Sequence, residues 1–516
     1  MLLILLAVAF ATFAAYAYKV MRDANKYWAE KGIKTPKPLL FFGNSWPTLT
    51  RTKSMVDQFN GFYNQFPNEP CFGVYDFLKP MLVVKDVELV ERVLIKDFHH
   101  FVDRGFTPEE TSNPLELNLF NMSGKKWKAM RSKFSPMFTT GKLRHMVPQI
   151  NEVSEALMKK LESNNRDVDM KDMMQRFSMD VIASTAFGIT VNCMEETEES
   201  EFRKMGKLAF KFTYMALFRF FMLTCFPKVA KKIKIAQNDP RITKYFSKVL
   251  RETLHHRKNT SLTRNDFVQL MVTLQQKGDL EFEGDRDDDY LITDNNEEKK
   301  MEHLELTDDV MIGQAFVFLV AGFEATATTL MYACFELASN PECQKKARKE
   351  IVKAVEARNG VLDYDAIKEM PYLNQCINET MRIHSFIAVL FRSCTKEYTF
   401  PGTSLTLQPG QGVYIPVTGI HQDPNLYPDP ELFKPERFGP DVSRPSCSFI
   451  PFGDGPRICI AMRFALTEVK VCIARLLMEY EIELSPKTKL PLDIDPTSFS
   501  SMPKTPVYFN MTKIKS

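Results

Sequence analysis

The sequence predicts a mainly α-helical fold with a smaller β region, built as one large domain behind an N-terminal membrane anchor. Three observations lead to this prediction. An apolar run opens the chain. Helical patterns cover about residues 140–280 and 342–384, and a long apolar helix begins near Thr307 between them. Short strand-like runs with glycine and proline turns occupy residues 396–417. A hydrophobic content of 44% over 516 residues is enough to build a large core.

Residues 1–18, MLLILLAVAFATFAAYAY, are apolar apart from one threonine and two tyrosines, and basic residues follow at Lys19, Arg22 and Lys26. An apolar run of this length can span a bilayer. Basic residues after the run are retained in the cytosol, together with the domain that follows them. We therefore expect an uncleaved transmembrane signal anchor over residues 1–18. A cleaved signal peptide is the alternative, because Ala-Tyr-Ala closes the run, but no basic residue precedes it.

The rest of the chain is predicted to form a linker and a single domain. Residues 19–47 contain Pro36 and Pro38, which stiffen the backbone, so we expect a linker with a proline-rich hinge. Residues 48–516 are predicted to form one domain. The charged and weakly periodic run over residues 278–305 is predicted to be an exposed loop inside this domain rather than a boundary.

Cysteine spacing and net charge argue against several classes of function. The ten cysteines form no CxxC pair, which argues against a zinc site and a disulfide framework and indicates a reducing compartment. The formal charge of +3 gives no reason to expect a nucleic-acid partner.

Two features suit a lipophilic ligand. The chain has 41 phenylalanines, which fit either bulky core packing or an apolar ligand cavity. The segment over residues 208–232 is dense in phenylalanine and ends in lysines. It is either a buried helix or a helix pair that contacts the bilayer and covers a lipophilic entrance channel.

The stretch FGDGPRICIA, residues 452–461, precedes a sequence with helical periodicity. A thiolate at Cys459 would be a strong ligand for iron, and a position at a helix N-terminus is expected to lower its pKa. Gly453 and Gly455 would let the backbone approach a flat group closely. Phe452 could pack on the face of that group, and Arg457 could pair with a carboxylate at its edge. Together these features describe a haem iron with an axial thiolate.

This loop resembles the haem loop of the cytochrome P450 family, F-x-x-G-x-x-x-C-x-G. Phe452, Gly455 and Cys459 are in register, and Ala461 replaces the final glycine. The resemblance implies the fold of that family and thiolate-ligated haem b, iron protoporphyrin IX. It also implies a microsomal monooxygenase that takes NADPH electrons from NADPH–cytochrome P450 reductase, with cytochrome b5 as an optional donor. The catalytic domain would then lie on the cytosolic side of the endoplasmic reticulum membrane.

Further motifs extend the resemblance over nearly the whole chain. Glu379 and Arg382 match the family's E-x-x-R, and Arg437 in PERF supplies the third member of a structural charge network. Spacing of three places the first two on one helix face.

The resemblance also implies contacts to the haem propionates. Trp127 and Arg131 match the family's W-x-x-x-R, and Arg392 lies where the family carries another propionate arginine. Lysines 125, 126, 128 and 133 crowd the same short helix, which is either an ordinary solvated face or a basic surface for an acidic electron donor.

The long apolar helix carries AGFEAT, which is similar to the family's distal motif A-G-x-[DE]-T-T. Glu324 occupies the acid position, but Ala325 stands where a threonine is expected and Thr326 follows it. A one-residue step rotates a side chain by about 100°. Glu324, water and a substrate hydroxyl could deliver protons, or Thr326 could reach in if the helix kinks at residues 321–322. Glu324 and Thr326 are therefore the candidate catalytic residues.

The overall pattern looks most like the insect detoxification branch of the family. The implied substrate is a lipophilic xenobiotic, plant toxin, insecticide or fatty acid. Candidate pocket residues are Phe106, Phe120, Phe212, Phe318, Ala321, Phe386, Ile387 and Ala388. Ala325 leaves two alternatives open, a haem protein that binds hydrophobic ligands without turnover and a peroxide-driven isomerase.

Overall fold

A computed structural model describes residues 25–105, 113–196, 198–260, 266–277 and 305–514, together with isolated positions before residue 25. Most of the predicted anchor and nearly all of the predicted charged loop lie outside these ranges. Both therefore remain predictions.

Helices form most of the described chain. The α-helices are α1 Tyr27–Glu30, α2 Trp46–Leu49, α3 Met55–Gln65, α4 Val87–Glu91, α5 Gly124–Phe134, α6 Thr140–Ser163, α7 Met170–Ile182, α8 Glu201–Leu208, α9 Tyr214–Cys225, α10 Pro227–Lys232, α11 Pro240–Asn259, α12 Phe267–Lys277, α13 Asp308–Ser339, α14 Pro341–Glu356, α15 Tyr364–Lys368, α16 Pro371–Ile383, α17 Val417–His421 and α18 Met462–Glu479. The strands are β1 Cys71–Asp76, β2 Lys79–Val84, β3 Val168–Asp169, β4 Val389–Ser393, β5 Tyr398–Thr399, β6 Thr406–Leu407, β7 Gly412–Pro416, β8 Tyr480–Leu484 and β9 Tyr508–Lys513. This composition confirms the predicted mainly α-helical fold with a smaller β region.

Helix α13 is the central element of the helical core. It begins after Thr307, whose side chain accepts a hydrogen bond from the backbone N–H of Val310 and caps the helix. The helix packs against α7, α11, α16 and α18. Among the described residues it is also the one helix long and apolar enough to cross a membrane, but most of it is buried inside the domain. It is therefore a core helix, and its middle forms one wall of a large cavity.

The β region carries one side of that cavity. A four-stranded sheet has the order β1-β2-β7-β4, in which β2 and β7 are parallel and the other pairs are antiparallel. Strand β4 pairs with β7 in a register that places Arg392 opposite Val413. Separate sheets contain β3-β9-β8 and β5-β6. The β4 edge positions the stretch over residues 386–392 against the cavity.

Part of the predicted linker is attached to this sheet. Trp28 is fully buried, its indole N–H donates to the carbonyl of Val74, and its backbone N–H donates to the hydroxyl of Tyr75. A side chain at Gly73 would collide with the Trp28 ring, because an added Cβ would lie 2.3 Å from it. The chain is thus tied to the domain from α1 onward.

The phenylalanine-rich segment folds as two short helices on the surface, α9 and α10. Leu217 is the one buried residue that α9 contributes, whereas Tyr214, Met215 and Phe218 are more than half exposed. Of the two alternatives drawn from the sequence, the buried helix is wrong and the helix pair is correct. Whether this pair contacts a bilayer stays a prediction.

Candidate active site

A cavity of about 1370 Å³ lies between α13, the β4 edge and the loop that carries Cys459. Cys459 lines its floor, and Ala321 and Ala325 line its wall. The rest of the lining is mostly apolar and includes many phenylalanines, namely Phe59, Phe120, Phe138, Phe210, Phe212, Phe220, Phe267, Phe316, Phe318, Phe386, Phe391, Phe452, Phe464 and Phe499. Such a cavity is suited to a large apolar group.

The cysteine loop is held by its own backbone. The N–H of Cys459 donates to the carbonyl of Phe452 at 3.0 Å, and both residues line the cavity. Gly453 and Gly455 have φ angles of +76° and +68°, which other residues adopt only with strain. A Cβ at Gly455 would lie 1.9 Å from the carbonyl oxygen of Leu94. Gly455 is therefore required by contact with the protein's own backbone, rather than by the approach to a flat group that its sequence position suggested.

The electrostatic environment of Cys459 differs from the sequence expectation. Burial raises the pKa of the thiol, and this effect outweighs the N–H of Ala461 and the charges of Arg131 and Arg104, which lower it. The helix end alone thus does not supply a thiolate. A bound iron cation would provide the missing positive charge, because a coordinating thiol loses its proton.

Four arginines surround one end of the cavity: Arg104, Arg131, Arg392 and Arg457. Arg131 donates to the carbonyl of Ile458 at 2.8 Å, and Arg392 donates to the carbonyl of Phe391 at 2.8 Å. The Nε of Arg392 is buried without a hydrogen-bond partner.

Mutual repulsion among these arginines is evident in their pKa values. Burial and then Arg104 lower the pKa of Arg392 to about 9, and burial and then Arg131 lower that of Arg104 to about 10. An anion bound among these arginines would therefore be stabilised, and it would raise the pKa values of Arg392 and Arg104 again.

Arg457 is bonded mainly to the protein's own backbone, and its guanidinium lies 3.6 Å from the carboxylate of Asp103. Its guanidinium donates to the backbone carbonyls of Val102, Leu119 and Met122 and lies over the ring of Trp127 at 4.1 Å. It thereby ties the cysteine loop to two preceding loops. Burial and the charges of the neighbouring arginines lower its pKa to about 7.

Sequence reasoning missed Arg104. It is stacked on Phe120 at 4.2 Å, donates to the carbonyl of Phe120 and lines the cavity beside Arg457. The stretch HFVDRGF contains it, but no spacing rule connects a loop arginine to a cysteine more than 350 positions later. Only the tertiary fold brings them together.

The predicted charge network is assembled and fully buried at its centre. Arg382 donates to both carboxylate oxygens of Glu379, at 2.7 and 2.9 Å, and Arg437 donates to one of them at 3.2 Å. Arg382 also donates to the carbonyl of His421, whose ring Nε2 accepts the N–H of Ile450 at 2.9 Å. His421, which sequence reasoning missed, thus links the network to the chain that leads into the cysteine loop.

The face of α13 that lines the cavity carries small side chains. Ala321, Ala325 and Thr329 follow one another at helical spacing along the cavity, and Thr329 donates to the carbonyl of Ala325 at 3.0 Å. Thr326 is buried and also lines the cavity, and its hydroxyl has no hydrogen-bond partner within the described part of the chain. The hydroxyl nearest in sequence to the missing threonine is therefore available at Thr326.

Glu324 points away from the cavity. Its carboxyl group accepts hydrogen bonds from Gln175 on α7 at 3.0 Å and from Ser500 at 3.5 Å. Burial raises its pKa, although the charges of Lys171 and Lys207 oppose the shift. The carboxyl therefore keeps its proton to a higher pH than an exposed glutamate does.

Most of the candidate pocket residues lie on the cavity wall, namely Phe120, Phe212, Phe318, Ala321, Phe386 and Ile387. Ala388 does not line the cavity; it is buried in a hydrophobic cluster with Val56 and Phe59 of α3. Phe106 lies outside the described residues.

The donor set fits haem b. Cys459 offers an axial sulfur, the aromatic walls suit a flat apolar ring, and the arginine cluster with its unpartnered Nε suits two carboxylates. Across the described ranges, no group of three or more histidine, cysteine or acidic side chains could hold a metal ion.

These features define a helical protein with a thiolate haem site beneath a lipophilic cavity. A sequence model of the family described as Cytochrome P450 matches residues 33–511. Cytochrome P450 6a2 of Drosophila melanogaster is 35% identical over 508 residues, which cover 96% of each chain. Cytochrome P450 6B1 of Papilio polyxenes is 32% identical over 501 residues, covering 96% of this chain and 97% of that protein.

Cytochrome P450 6k1 of Blattella germanica is 33% identical over 508 residues, covering 98% of this chain and 95% of that protein. The chain belongs to the cytochrome P450 family and is a haem-dependent monooxygenase, an oxidoreductase. The resemblance inferred from the sequence is thereby confirmed, and these insect relatives agree with the branch it indicated.

Proposed function

We propose that the protein inserts one oxygen atom from O2 into a lipophilic small molecule, with NADPH electrons delivered by NADPH–cytochrome P450 reductase. The observation that supports this proposal best is the large aromatic cavity with Cys459 on its floor and small residues on its α13 wall. Ala321 and Ala325 leave room for a substrate carbon close to the reaction centre. Xenobiotics, plant toxins, insecticides and fatty acids all fit such an apolar site.

In this proposal each site residue has a separate task. Cys459 holds the haem iron, which supplies the oxygen chemistry when bound. Arg104, Arg131 and Arg392 bind the haem carboxylates, and Trp127 packs beside them. Arg457 holds the loops together rather than binding a haem carboxylate directly.

Glu324 and Thr326 have the task of proton delivery. Glu324 is disposed to carry a proton because burial raises its pKa. Thr326 presents an unpartnered hydroxyl on the cavity wall. Water or a substrate hydroxyl would occupy the space that Ala325 leaves.

The first experiment is the carbon-monoxide difference spectrum of the reduced, membrane-expressed protein, with Cys459→His as a comparison. A strongly red-shifted Soret band in the wild type alone would support the thiolate role of Cys459. An ordinary Soret position in the wild type would contradict it. NADPH oxidation with added reductase and lipophilic compounds, measured in the same sample, separates a monooxygenase from a protein that only binds ligands.

Ala325 keeps a second function open, the peroxide-driven isomerase. Such an enzyme would convert fatty hydroperoxides without reductase, whereas the proposed monooxygenase depends on it. Ala325→Thr is expected to decrease the peroxide released per NADPH, because a hydroxyl at this position would support proton delivery. An unchanged ratio would indicate that Thr326 or solvent already serves this purpose.

The electron donor is proposed to dock on the face that carries α5. Lys125 and Lys126 are exposed there, and Lys128 and Lys133 are half-buried. This helix also carries Trp127 and Arg131, so a donor bound to its outer face would lie close to the haem edge. Replacing Lys125 and Lys126 by glutamate is expected to slow reduction by the reductase while leaving the carbon-monoxide spectrum unchanged. Cytochrome b5 could use the same basic surface.

The domain is proposed to sit on the cytosolic face of the endoplasmic reticulum membrane. The predicted anchor over residues 1–18 would hold it there. The exposed aromatic residues of α9 and the lysines of α10 would rest against the bilayer, since Phe220, Lys228 and Lys231 also line the cavity entrance. Lipophilic substrates could then enter from the lipid phase.

A further inference from the structure

Glu324 is separated from the cavity by its own helix, so its protons need a route from the opposite side. The carboxyl group is buried between α13, Gln175 on α7 and Ser500 in the loop between β8 and β9. The cavity wall itself is formed by other residues of α13. The loop that contains Ser500 is therefore where a proton could reach Glu324 without passing through the substrate.

That loop contains a second hydroxyl in direct contact with the first. The Oγ atoms of Ser498 and Ser500 are 2.8 Å apart, and the Oγ of Ser500 lies 3.5 Å from Oε1 of Glu324. The exposed fractions are 9% for Ser498, 2% for Ser500 and 5% for Glu324, so all three are buried and Ser498 is the most exposed of them. Half-exposed residues, Asp495 and Thr497, lie at the Ser498 end of the pair.

Backbone contacts hold this pair in place. The N–H of Phe499 donates to the carbonyl of Phe210, and the N–H of Phe212 donates to the carbonyl of Thr497. The N–H of Ser500 donates to the hydroxyl of Ser498 at 3.1 Å. The two hydroxyls are thus fixed relative to α13 rather than carried on a free loop.

We infer that Ser500, with Ser498 behind it, is the hydroxyl relay that supplies protons to Glu324 from the solvent side of the C-terminal loop. This inference rests on the proposed monooxygenase function and assigns positioning residues to its proton supply. Ser500 passes its hydroxyl proton to the Glu324 carboxylate and receives one from Ser498, which receives one from solvent water. Each hydroxyl ends with the proton count it had, and one proton moves from water to Glu324.

The position of Glu324 beside Ser500 also gives a physical reason for a small residue at position 325. To deliver its proton, the Glu324 carboxyl must turn about its side-chain bonds from Ser500 toward the cavity. The methyl group of Ala325 is the smallest obstruction that a residue with a Cβ can offer beside that path. The charges of Lys171 and Lys207 lower the pKa of the carboxyl, so they stabilise it once the proton has left.

The test compares Ser500→Ala with Ser500→Thr, which restores a hydroxyl, and with Ser501→Ala. Ser501 is the matched control because it is adjacent, equally buried and has a hydroxyl without a hydrogen-bond partner in the described structure. The carbon-monoxide spectrum of each full-length variant is recorded first. An intact thiolate spectrum in all variants shows that the haem site has not changed.

Three readouts then examine the relay. The carboxyl stretching band of Glu324, identified by its loss in Glu324→Gln, is titrated by infrared spectroscopy. Ser500→Ala is expected to raise the pKa of Glu324 further, because a hydrogen-bond donor to the carboxylate is lost. Substrate turnover is expected to fall about tenfold, less than the full effect of a proton-transfer group because water can enter instead. The solvent deuterium isotope effect should increase. Ser500→Thr should restore the wild-type values of the Glu324 pKa, the turnover and the isotope effect.

Failure of the inference can be distinguished from failure of the proposed function. If Ser500→Ala equals Ser501→Ala in the Glu324 titration and in the isotope effect, the serine relay is wrong even though the enzyme works. If the wild type shows no thiolate spectrum and no turnover, the proposed function fails. The infrared titration still decides the contact between Ser500 and Glu324 in that case.

Discussion

At the scale of single residues, the site depends on buried polar groups whose partners are fully specified. Glu379 is the clearest example, because its two oxygens accept hydrogen bonds from Arg382, Arg437 and the backbone N–H of Lys434. The side chains of Glu379 and Arg382 are inaccessible to solvent. Such a pair contributes little net stability when intact, but it is costly to break.

Replacing Glu379 by glutamine leaves a buried guanidinium without its counter-charge. We expect the free energy of unfolding to fall by about 3–5 kcal/mol, measured by urea denaturation. Glu436→Gln is the matched control, because Glu436 pairs with Lys346 on the surface and should cost less than about 1 kcal/mol. Equal losses in the two variants would contradict a structural role for the network.

The buried ring of His421 is expected to make the folded protein less stable in acid. Burial, reinforced by Arg382, lowers its pKa to about 3, so the ring is neutral in the folded protein. Below its unfolded pKa near 6.5, the unfolded chain binds a proton that the folded state does not. The free energy of unfolding should therefore decrease as the pH falls, by about 1.4 kcal/mol per pH unit between pH 6.5 and 3.

His421→Gln tests this origin, since an amide oxygen can still accept the N–H of Ile450 but does not titrate. The difference in unfolding free energy between wild type and variant, measured by urea denaturation from pH 7 to pH 4, should shrink as the pH falls. A difference independent of pH would show that another group causes the acid sensitivity.

At the scale of elements, the cysteine loop is shaped by contacts with segments far away in the chain. Gly455 packs its backbone against Leu94, and Arg457 bridges the loop to residues 102, 119 and 122. The loop is therefore held in place by neighbouring backbone before any ligand binds.

Gly455→Ala is expected to destabilise the protein by more than its backbone strain alone. Gly360 is the control, because its φ of +83° is similar but nothing lies within 4 Å of an added Cβ. Gly360→Ala should cost about 1–2 kcal/mol for the left-handed conformation, measured by thermal unfolding. Gly455→Ala should lower the free energy of unfolding by clearly more than Gly360→Ala does, and it should weaken haem binding. Equal costs would show that Leu94 moves aside readily.

Part of the site could be predicted from the sequence, and part could not. Cys459, the Glu379–Arg382 pair and the length of α13 were predictable because each depends on spacing within one short segment. Arg104, His421 and Ser500 were not, since each reaches the site through packing between distant segments. Ala388 was misplaced because its burial depends on packing against α3, a distant segment that its own position in the sequence does not reveal.

At the scale of the whole molecule, exposed aromatic residues gather on α2 and α9, two helices that also contribute residues to the cavity lining. Trp46 packs on Phe42, and Phe41 packs on Phe221 of α9, so the segment before α2 and the α9 helix form one apolar surface. Trp46 is 42% exposed and Phe218 is 51% exposed. A surface of this kind is unusual on a protein surrounded by water and is expected at a membrane interface.

The three tryptophans provide an internal test of this orientation. Trp28 and Trp127 are buried, whereas Trp46 lies on the apolar surface. In nanodiscs that contain lipids brominated along the acyl chains, full-length protein should show quenching of the Trp46 fluorescence. Trp46→Phe should remove the quenchable fraction and leave the emission of the other two unchanged, because bromine quenches only rings that it contacts. Equal quenching in the wild type and in Trp46→Phe would mean that this surface faces water. The domain would then have a different orientation relative to the membrane. Selective loss of quenching would place the cavity entrance at the lipid surface, where lipophilic substrates are most concentrated.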